Sequence, residues 1–213
     1  MRIKIEELKQ AYSTKKTEIK KRLRDFRKVW QEDDHRIFSE LVFCLCTPQS
    51  KARECGKAVS RLVKSNVLFE GDVEKIISGL RGVRFPNNKA RYIAEARDNF
   101  TENGRICIKD KINSGDVYSS REWFYSNVKG LGLKESSHFL RNIGFGKDLA
   151  IIDVHILKNM VRYGLIEGIP KTISKGKYFL FETILKDFSR KTDIPIAELD
   201  LLFWSAETGE IFK

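Results

Sequence analysis

The sequence predicts an all-α protein. Apolar residues recur at the spacing of amphipathic helices in several separate segments, one of which reads Phe38, Leu41, Val42 and Leu45. We find no internal repeat and no pair of strand-like segments joined by a hairpin turn. The chain has 213 residues, of which 41% are apolar, and this length suits one large domain or two small ones that share a core.

The charge of the chain predicts a polyanionic partner. Lys and Arg number 40 against 29 Asp and Glu, a net charge of +11, and nucleic acid is the first candidate. The longest run without a polar residue, Leu41 to Cys46, has six residues, whereas a membrane span needs about 18. Charged residues also stand where a signal peptide would place its apolar segment. We therefore expect a soluble protein of the cytoplasm that binds no membrane.

The first element is predicted as a long, basic surface helix over residues 1–30. This segment holds eleven Lys and Arg and four Asp and Glu, a net +7 of the total +11. Its apolar residues recur at broadly helical spacing and predict one buried stripe of Ile3, Leu8, Ile19, Leu23 and Phe26. The basic face is either a solvated surface or a contact with DNA, and the sequence alone leaves both open.

Helices also dominate the rest of the first half. The series that starts at Phe38 ends before Pro48, because proline cannot continue a helix, and residues 47–50 are predicted to form a turn. Helical spacing resumes over residues 51–64 and again over residues 87–100.

The second half is predicted as helices separated by glycine-containing loops. The predicted helices cover 119–128, 134–143, 154–163, 173–189 and 195–206, with a hairpin at 129–133 and a loop at 144–150. No strand is predicted in this half of the chain.

The most informative segment is the hairpin Lys129-Gly130-Leu131-Gly132 between two amphipathic helices. Two glycines one residue apart allow a sharp turn and a close approach to a ligand, while the first turn of the next helix offers unpaired N–H groups. Such a hairpin can hold a DNA phosphate, with Lys129, Gly130 and Gly132 as candidate contacts. Alone, the pattern is more often an ordinary turn between helices. The basic charge and the following Lys134 favour a helix-hairpin-helix that binds the DNA backbone.

Several segments resemble one known family. Val128-Lys129-Gly130-Leu131-Gly132-Leu133-Lys134, followed by Ile151-Ile152-Asp153-Val154-His155, resembles the L-P-G-V-G-x-K hairpin and the V-D-x-H motif of the helix-hairpin-helix DNA glycosylases. Further similar segments are Thr47-Pro48-Gln49-Ser50, Arg84 to Ala90, and the ending Phe203 to Lys213. Over residues 36–213 the chain looks like the short prokaryotic and archaeal branch of 8-oxoguanine DNA glycosylase/lyases, with Lys129 in place of the usual proline.

The cysteines predict no metal site. Cys44, Cys46, Cys55 and Cys107 show no metal-ligand spacing to one another or to a histidine. The iron–sulfur branch of the family, similar to endonuclease III, needs a C-terminal cluster of four cysteines, and this sequence has no cysteine after Cys107. We therefore expect neither a metal nor a cofactor.

The resemblance implies two catalytic residues, Lys134 as the nucleophile and Asp153 as the carboxylate. A neutral lysine amine would displace the base and form a Schiff base, which permits β-elimination of the 3′ phosphate. The carboxylate would stabilise the positive charge that builds on the sugar as the base leaves. Lys134 falls in the first turn of a helix, where the dipole and burial disfavour the ammonium form. The alternatives are a phosphate-binding Lys134 and an Asp153 that only caps a helix.

The resemblance also implies two helical lobes with the catalytic cleft between them. We expect residues 31–117 to form one lobe, and residues 1–30 together with 118–213 to form the helix-hairpin-helix lobe. The cleft should contain both Lys134 and Asp153.

Four further residues are implied as substrate contacts, because a glycosylase must extrude the damaged nucleotide from the stack. Gln49 lies on the loop where this family carries a side chain that fills the vacated space, and Phe85, held extended by Pro86, suits a wedge against DNA or the flipped base. An ordinary turn residue and a core phenylalanine are the respective alternatives. Trp204 would line the base pocket. The carboxylate of Lys213 would accept a hydrogen bond from N7–H of 8-oxoguanine, a donor that guanine lacks. A core tryptophan and a frayed chain end are the respective alternatives.

Together these expectations describe a monomeric 8-oxoguanine DNA glycosylase and abasic-site lyase that binds double-stranded DNA. The alternatives are a glycosylase for another base lesion or mismatch, and a non-catalytic helix-hairpin-helix DNA-binding module. Lys134 discriminates between enzyme and module, because only a nucleophile can be trapped covalently on DNA.

Modifying the C-terminal carboxylate should impair base recognition selectively. Amidating Lys213, or appending a few residues, removes or displaces a charged hydrogen-bond acceptor worth about 1.5–3 kcal/mol. We expect 8-oxoguanine excision to fall by about one to two orders of magnitude in single-turnover assays. Cleavage of a preformed abasic site involves no base and should change little. Equal losses on the two substrates would show that the tail supports folding or DNA binding in general.

Overall fold

The computed structural model describes residues 2–212, with the side chains of residues 4–212, and it confirms the all-α class. The helices are α1 (Arg2–Val29), α2 (Asp34–Cys46), α3 (Ala52–Lys64), α4 (Val67–Glu70), α5 (Val73–Gly79), α6 (Pro86–Phe100), α7 (Val117–Asn127), α8 (Leu133–Leu140), α9 (Val154–Arg162), α10 (Lys175–Thr192) and α11 (Ile196–Thr208). A 3₁₀ turn covers Lys109–Lys111, and a π-helical turn covers Arg141–Phe145. No helix in the described part of the chain is long and apolar enough to cross a membrane.

Short polar side chains begin several helices by accepting hydrogen bonds from free N–H groups. These capping residues are Asp33, Asp72, Asp116, Asp153 and Ser174. Pro86 takes the first position of α6, where its missing N–H costs no hydrogen bond. Each helix predicted within residues 51–206 begins and ends within three residues of the observed bounds. Helices α4 and α5 were not predicted, because they are too short for apolar periodicity to show.

A small β-hairpin contradicts the prediction that the chain contains no strand pair. Strand β1 (Thr101–Glu102) pairs antiparallel with β2 (Arg105–Ile106). The two residues between them, Asn103 and Gly104, have φ of +51° and +75°. Asn-Gly is the usual signal for a two-residue turn of this kind. The prediction was wrong because strands of two residues show no alternation of apolar and polar side chains.

The buried apolar side chains form two cores. The first core lies among α2 to α8. It includes Phe124 on α7, and its last member along the chain is Leu149. The second core joins α1 to α9, α10 and α11. Helix α8 contributes to both, with Phe139 in the first core and Leu133 in the second. The lobe boundary at residue 118 stays a prediction, and the first core extends beyond it.

The predicted buried stripe of α1 faces the second core. Leu8, Ile19 and Phe26 are buried there, and Leu23 is half-buried against the same core. The side chain of Ile3 lies outside the described residues. The long basic helix is therefore anchored by apolar contacts along its length.

Helix α1 also packs closely against the π-helical turn that follows α8. Gly144 lies at φ +99°, and a Cβ at this position would come within 2.8 Å of the Cα of Arg27 on α1. In the same contact the guanidinium of Arg141 lies 4.9 Å from the centroid of the Phe26 ring. The turn therefore needs glycine both for its backbone conformation and for space.

Gly144→Ala should destabilise the fold. The substitution forces a positive φ and a backbone clash, so we expect the free energy of unfolding to fall by about 2–4 kcal/mol. Gly176→Ala is the matched control, because Gly176 lies near the start of α10 and, beyond its chain neighbours and the adjoining backbone of its own helix, no atom of the described residues lies within 4 Å of the added Cβ. It should be neutral or raise stability by up to about 1 kcal/mol. Denaturant unfolding followed by circular dichroism measures both, and equal stabilities would contradict the close packing.

Candidate active site

A cleft of about 840 Å³ is lined by segments adjoining both cores. Residues 47–54, between the end of α2 and the first turn of α3, form one part of its lining. Segment 151–155 and helix α11 form another, and Asp153 lies on that segment. The start of α8 contributes Lys134. The structure thus brings the two predicted catalytic residues to one cavity, while their roles stay predictions.

Lys134 is held at the start of α8 by a glycine cap. Gly132, in extended backbone, donates its N–H to Oε2 of Glu135 at 3.2 Å, so this carboxylate closes the first turn of the helix. Nζ of Lys134 lies 3.7 Å from the other oxygen of Glu135, and the lysine side chain is 22% exposed. The amine is therefore largely enclosed, beside a carboxylate, in the lining of the cleft.

Asp153 caps α9 from the end of an extended segment. Its Oδ1 accepts from the N–H of Ile156 at 2.8 Å, and its own N–H donates to the carbonyl of Ile151 at 2.9 Å. The helix cap uses one of the two carboxylate oxygens. Capping and a catalytic role are therefore compatible, and the cap fixes where the carboxylate lies.

The cleft also contains a buried ion pair that was not predicted from the sequence. Arg141, in the π-helical turn, donates to Oδ2 of Asp200 on α11 at 2.8 Å. Burial raises the pKa of Asp200 to about 6, Arg141 opposes this rise, and the negative charge of Asp153 adds to it. Burial also lowers the pKa of Arg141. An available signal was the spacing of Asp200, Trp204 and Thr208, which lie four residues apart and therefore share one face of α11.

The loop at residues 47–50 is fixed by a buried lysine. The ammonium of Lys89, on α6, donates to the carbonyl oxygens of Cys46 and Pro48 at 2.6 and 2.8 Å and to Oγ of Ser50 at 3.0 Å. Burial lowers the pKa of Lys89, and the three acceptors satisfy its three N–H groups. Gln49 is exposed on this loop, at φ +55°, and lines the cleft. Lys89 thus holds the loop from which Gln49 reaches the cleft.

Phe85 is not among the residues that line the cleft, and its predicted extended conformation was wrong. It adopts φ +58° and ψ +50° at the start of α6. The N–H of Arg84 donates to Oγ of Ser50 at 3.0 Å, and the N–H of Lys89 donates to the Phe85 carbonyl at 3.2 Å. These hydrogen bonds, one before and one after the Phe85 side chain, hold the turn of the backbone at Phe85. The Phe85 side chain is 50% exposed, which excludes the core alternative. Its contact with DNA stays a prediction.

The hairpin residues precede Lys134 but do not line the cleft themselves. Gly130 has φ +91°, and a Cβ there would come within 2.5 Å of the Tyr92 ring, so the turn requires glycine. Lys129 is exposed, with Nζ 3.4 Å from a carboxylate oxygen of Glu95. Contact of Lys129, Gly130 and Gly132 with DNA phosphates stays a prediction.

Trp204 lines the cleft from α11, whereas Lys213 lies outside the described residues. The Trp204 ring is half-buried and meets the ring of His155 edge-on, with centroids 6.2 Å apart. His155 also lines the cleft, although the sequence analysis quoted it only as part of the V-D-x-H motif. The segment before Lys213 is anchored, because Glu210 pairs with Arg53 on α3.

Within the described side chains, the group that could hold a metal ion is Glu102, Cys107 and Asp110. Their ligand atoms lie within 4.8 Å of one another, and the two carboxylates are exposed. None of the three residues lines the cleft. Exposed acidic residues commonly cluster in this way without a metal, so the group adds nothing to the chemistry of the site.

Comparison with known proteins identifies the family. A sequence model of 8-oxoguanine DNA glycosylase matches residues 19–194. The chain belongs to the 8-oxoguanine DNA glycosylase family. The 8-oxoguanine DNA glycosylase/AP lyase of Fusobacterium nucleatum is 40% identical over 209 residues, 97% of this chain and 96% of that protein. The protein of the same name from Methanocaldococcus jannaschii is 38% identical over 213 residues, 99% and 98% of the two chains.

Solved structures of this glycosylase family share the fold over the whole chain. One is the crystal structure of the M. jannaschii 8-oxoguanine glycosylase/lyase in complex with a 15mer DNA containing 8-oxoguanine, with a TM-score of 0.89, 32% identity and full coverage of both chains. Another is the 8-oxoguanine DNA glycosylase of Thermotoga maritima, with a TM-score of 0.88, 32% identity and the same coverage. The family predicted from the hairpin and the V-D-x-H motif is confirmed.

Asp200 should titrate near pH 6 in the folded glycosylase. Because its folded-state pKa of about 6 lies above the ordinary 3.8, this carboxyl contributes stability below pH 3.8 that is lost as the pH rises through about 6. NMR titration of the carboxyl carbon measures the midpoint. Asp153→Asn should lower the midpoint because it removes a neighbouring negative charge, and Lys134→Gln should raise it because it removes a positive one. Shifts in the same direction would contradict these electrostatics.

Proposed function

We propose that this chain is a base-excision repair enzyme that removes 8-oxoguanine from duplex DNA and then cleaves the strand at the abasic site. The observation that carries the proposal is that Lys134 and Asp153 line one cleft in a member of the 8-oxoguanine DNA glycosylase family. Both activities appear in the printed name of relatives that are 40% and 38% identical. The net charge of +11 suits a polyanionic substrate.

Base release would use Lys134 as the nucleophile. The neutral amine attacks C1′ of the damaged nucleotide, the bond between C1′ and N9 breaks, and the base departs with the electron pair of that bond and takes up the proton that the amine loses. Positive charge develops on the sugar during this step, and a nearby carboxylate in an enclosed site stabilises it. Asp153 would supply that carboxylate, held in position by its hydrogen bond to the N–H of Ile156.

Strand cleavage would follow from the same covalent bond. The lysine–sugar adduct opens to a Schiff base when the bond from C1′ to the ring oxygen O4′ breaks and O4′ takes up a proton from the nitrogen. A proton on C2′ is acidic in this Schiff base. Loss of that proton forms a double bond between C2′ and C3′, and the bond from C3′ to its oxygen breaks, so the 3′ phosphate leaves with the electron pair. Water then hydrolyses the Schiff base and restores the Lys134 amine.

Extrusion of the nucleotide must come first, because the glycosidic bond of a stacked duplex is out of reach. Gln49, exposed on the loop that Lys89 holds, would occupy the space left in the stack. Trp204 would contact the flipped base from α11, and the Lys213 carboxylate would accept a hydrogen bond from its N7–H. The exposed Phe85 would press against the DNA outside the cleft.

The hairpin before α8 would bind the DNA backbone without reading its sequence. Lys129, the N–H of Gly130 and the backbone beside Gly132 would contact DNA phosphates, while the N–H of Gly132 itself is bonded to Glu135. We further propose that the enzyme acts on chromosomal DNA in the cytoplasm, because the relatives it matches come from bacteria and archaea, whose chromosomes lie in the cytoplasm.

Lys134→Gln should abolish both base release and strand cleavage while duplex binding stays nearly intact. The amide cannot act as a nucleophile, whereas the DNA backbone is bound by other groups. Borohydride should trap the unchanged enzyme covalently on an 8-oxoguanine duplex and should trap none of the variant. Asp153→Asn should slow excision by about 10²–10³ with normal folding, since it removes one electrostatic stabiliser of the transition state.

Lys64→Gln is the control, because Lys64 is exposed at the end of α3 and does not line the cleft. It should excise and trap normally. Near-normal excision by Lys134→Gln would exclude the nucleophile assignment. Failure of the unchanged enzyme to form any adduct, on duplexes with 8-oxoguanine or with another base lesion, would indicate a DNA-binding module instead.

A further inference from the structure

The segment that leads into Asp153 is buried although it belongs to no helix or strand. It covers residues 149–153, and Ala150, Ile151 and Ile152 are almost fully enclosed. Buried backbone N–H and C=O groups need hydrogen-bond partners, and an irregular segment must find most of them elsewhere in the molecule. The partners of this segment therefore help to determine where Asp153 lies.

Two side chains of α10 supply these partners. The carboxylate of Glu182 accepts from the N–H of Ala150 at 2.9 Å. The hydroxyl of Tyr178 donates to the carbonyl of Ala150 at 2.7 Å and accepts from the N–H of Ile152 at 3.4 Å. Tyr178 thus bonds the backbone at two places immediately before Asp153.

The same network reaches the helix that carries Lys134. Ser137, on α8 about one turn after Lys134, has its Oγ 3.2 Å from the Tyr178 hydroxyl. Because the single phenol proton goes to the carbonyl, Ser137 is the donor in this contact. The guanidinium of Arg121, on α7, pairs with both carboxylate oxygens of Glu182 at 2.7 and 3.0 Å. All four side chains are buried, so one polar network joins three helices to the segment before Asp153.

We infer that Tyr178 is a positioning residue for Asp153. Its hydroxyl fixes the backbone before Asp153 and, through Ser137, ties that backbone to the helix of Lys134, so the nucleophile and the carboxylate keep one relative position. The inference rests on the proposed function, in which Asp153 stabilises the charged sugar. Burial raises the pKa of Tyr178 above its ordinary value, so the hydroxyl keeps its proton throughout the neutral range.

Tyr178→Phe tests the inference because it deletes only the hydroxyl. We expect single-turnover excision of 8-oxoguanine to slow by about 10- to 100-fold, the effect of a small displacement of a catalytic group, with an unchanged Kd for the duplex. Tyr12→Phe is the matched control. Its hydroxyl donates to Glu198 at 2.6 Å in the contact between α1 and α11, away from this network. The control should excise at the normal rate, and a normal rate in Tyr178→Phe overturns the inference.

An Asp153→Asn background separates positioning from a general structural role. If Tyr178 acts through Asp153, then adding Tyr178→Phe to Asp153→Asn should cause no further slowing. If the excision rate of the double variant falls by the product of the two single-variant effects, the inference is overturned. A normal excision rate in Asp153→Asn alone overturns the proposed role of Asp153 and the inference with it, whereas a normal rate in Tyr178→Phe alone overturns only the inference.

Ser137→Ala is the second variant, to be used where Tyr178→Phe fails to fold. It deletes the donor to the Tyr178 hydroxyl but leaves the bond to the Ala150 carbonyl. We expect excision to slow by about 2- to 10-fold, as for the loss of one neutral hydrogen bond, and the slowing to disappear in the Asp153→Asn background. Normal excision by Ser137→Ala, or a loss that persists in that background, counts against the inference.

Discussion

The ion pair between Arg141 and Asp200 joins two elements that meet where the two cores adjoin. Arg141 lies in the π-helical turn directly after the helix of Lys134, and Asp200 lies on the helix of Trp204. Both charges are buried, and breaking such a pair is costly because it leaves one charge without a partner. The turn and α11 must therefore keep their relative position. The cleft depends on this constraint, because Lys134 lies on α8, which the turn continues, Trp204 lies on α11, and both side chains line the cleft.

Buried polar side chains also hold the irregular backbone that lines the cleft. Lys89 donates to the carbonyl groups at the loop of residues 47–50, and Tyr178 and Glu182 bond the segment of residues 149–153. In both places side chains supply the hydrogen bonds that a helix or a strand would otherwise provide. Each of these buried groups has several partners, which offsets the cost of removing it from water. The loops around the site are therefore held by hydrogen bonds from buried side chains, and a catalytic site whose groups must keep one geometry benefits from such support.

The sequence located the candidate catalytic pair because Lys134 and Asp153 belong to short motifs with a readable spacing. It did not locate Arg141 and Asp200, which stand 59 residues apart and look like ordinary helix residues. Lys89 belongs to the segment Arg84 to Ala90, which resembles the family, but the sequence predicted no role for it. Its role appears when its ammonium is seen among three oxygen atoms contributed by residues about 40 positions earlier. The Asn-Gly turn of the small hairpin, by contrast, was a local signal from which the strand pair was predictable.

By itself the sequence determined the all-α class, most helix positions and the glycosylase family, because apolar periodicity, helix caps and motif spacing are properties of neighbouring residues. Only the tertiary structure decided that Phe85 is exposed in a left-handed conformation, since bonds to Ser50 and Lys89 turn the chain there. Only the tertiary structure decided that Asp200 has a raised pKa, since burial and the charges of distant residues set that value. Burial and pairing depend on residues far apart along the chain, and no local pattern records which of them meet.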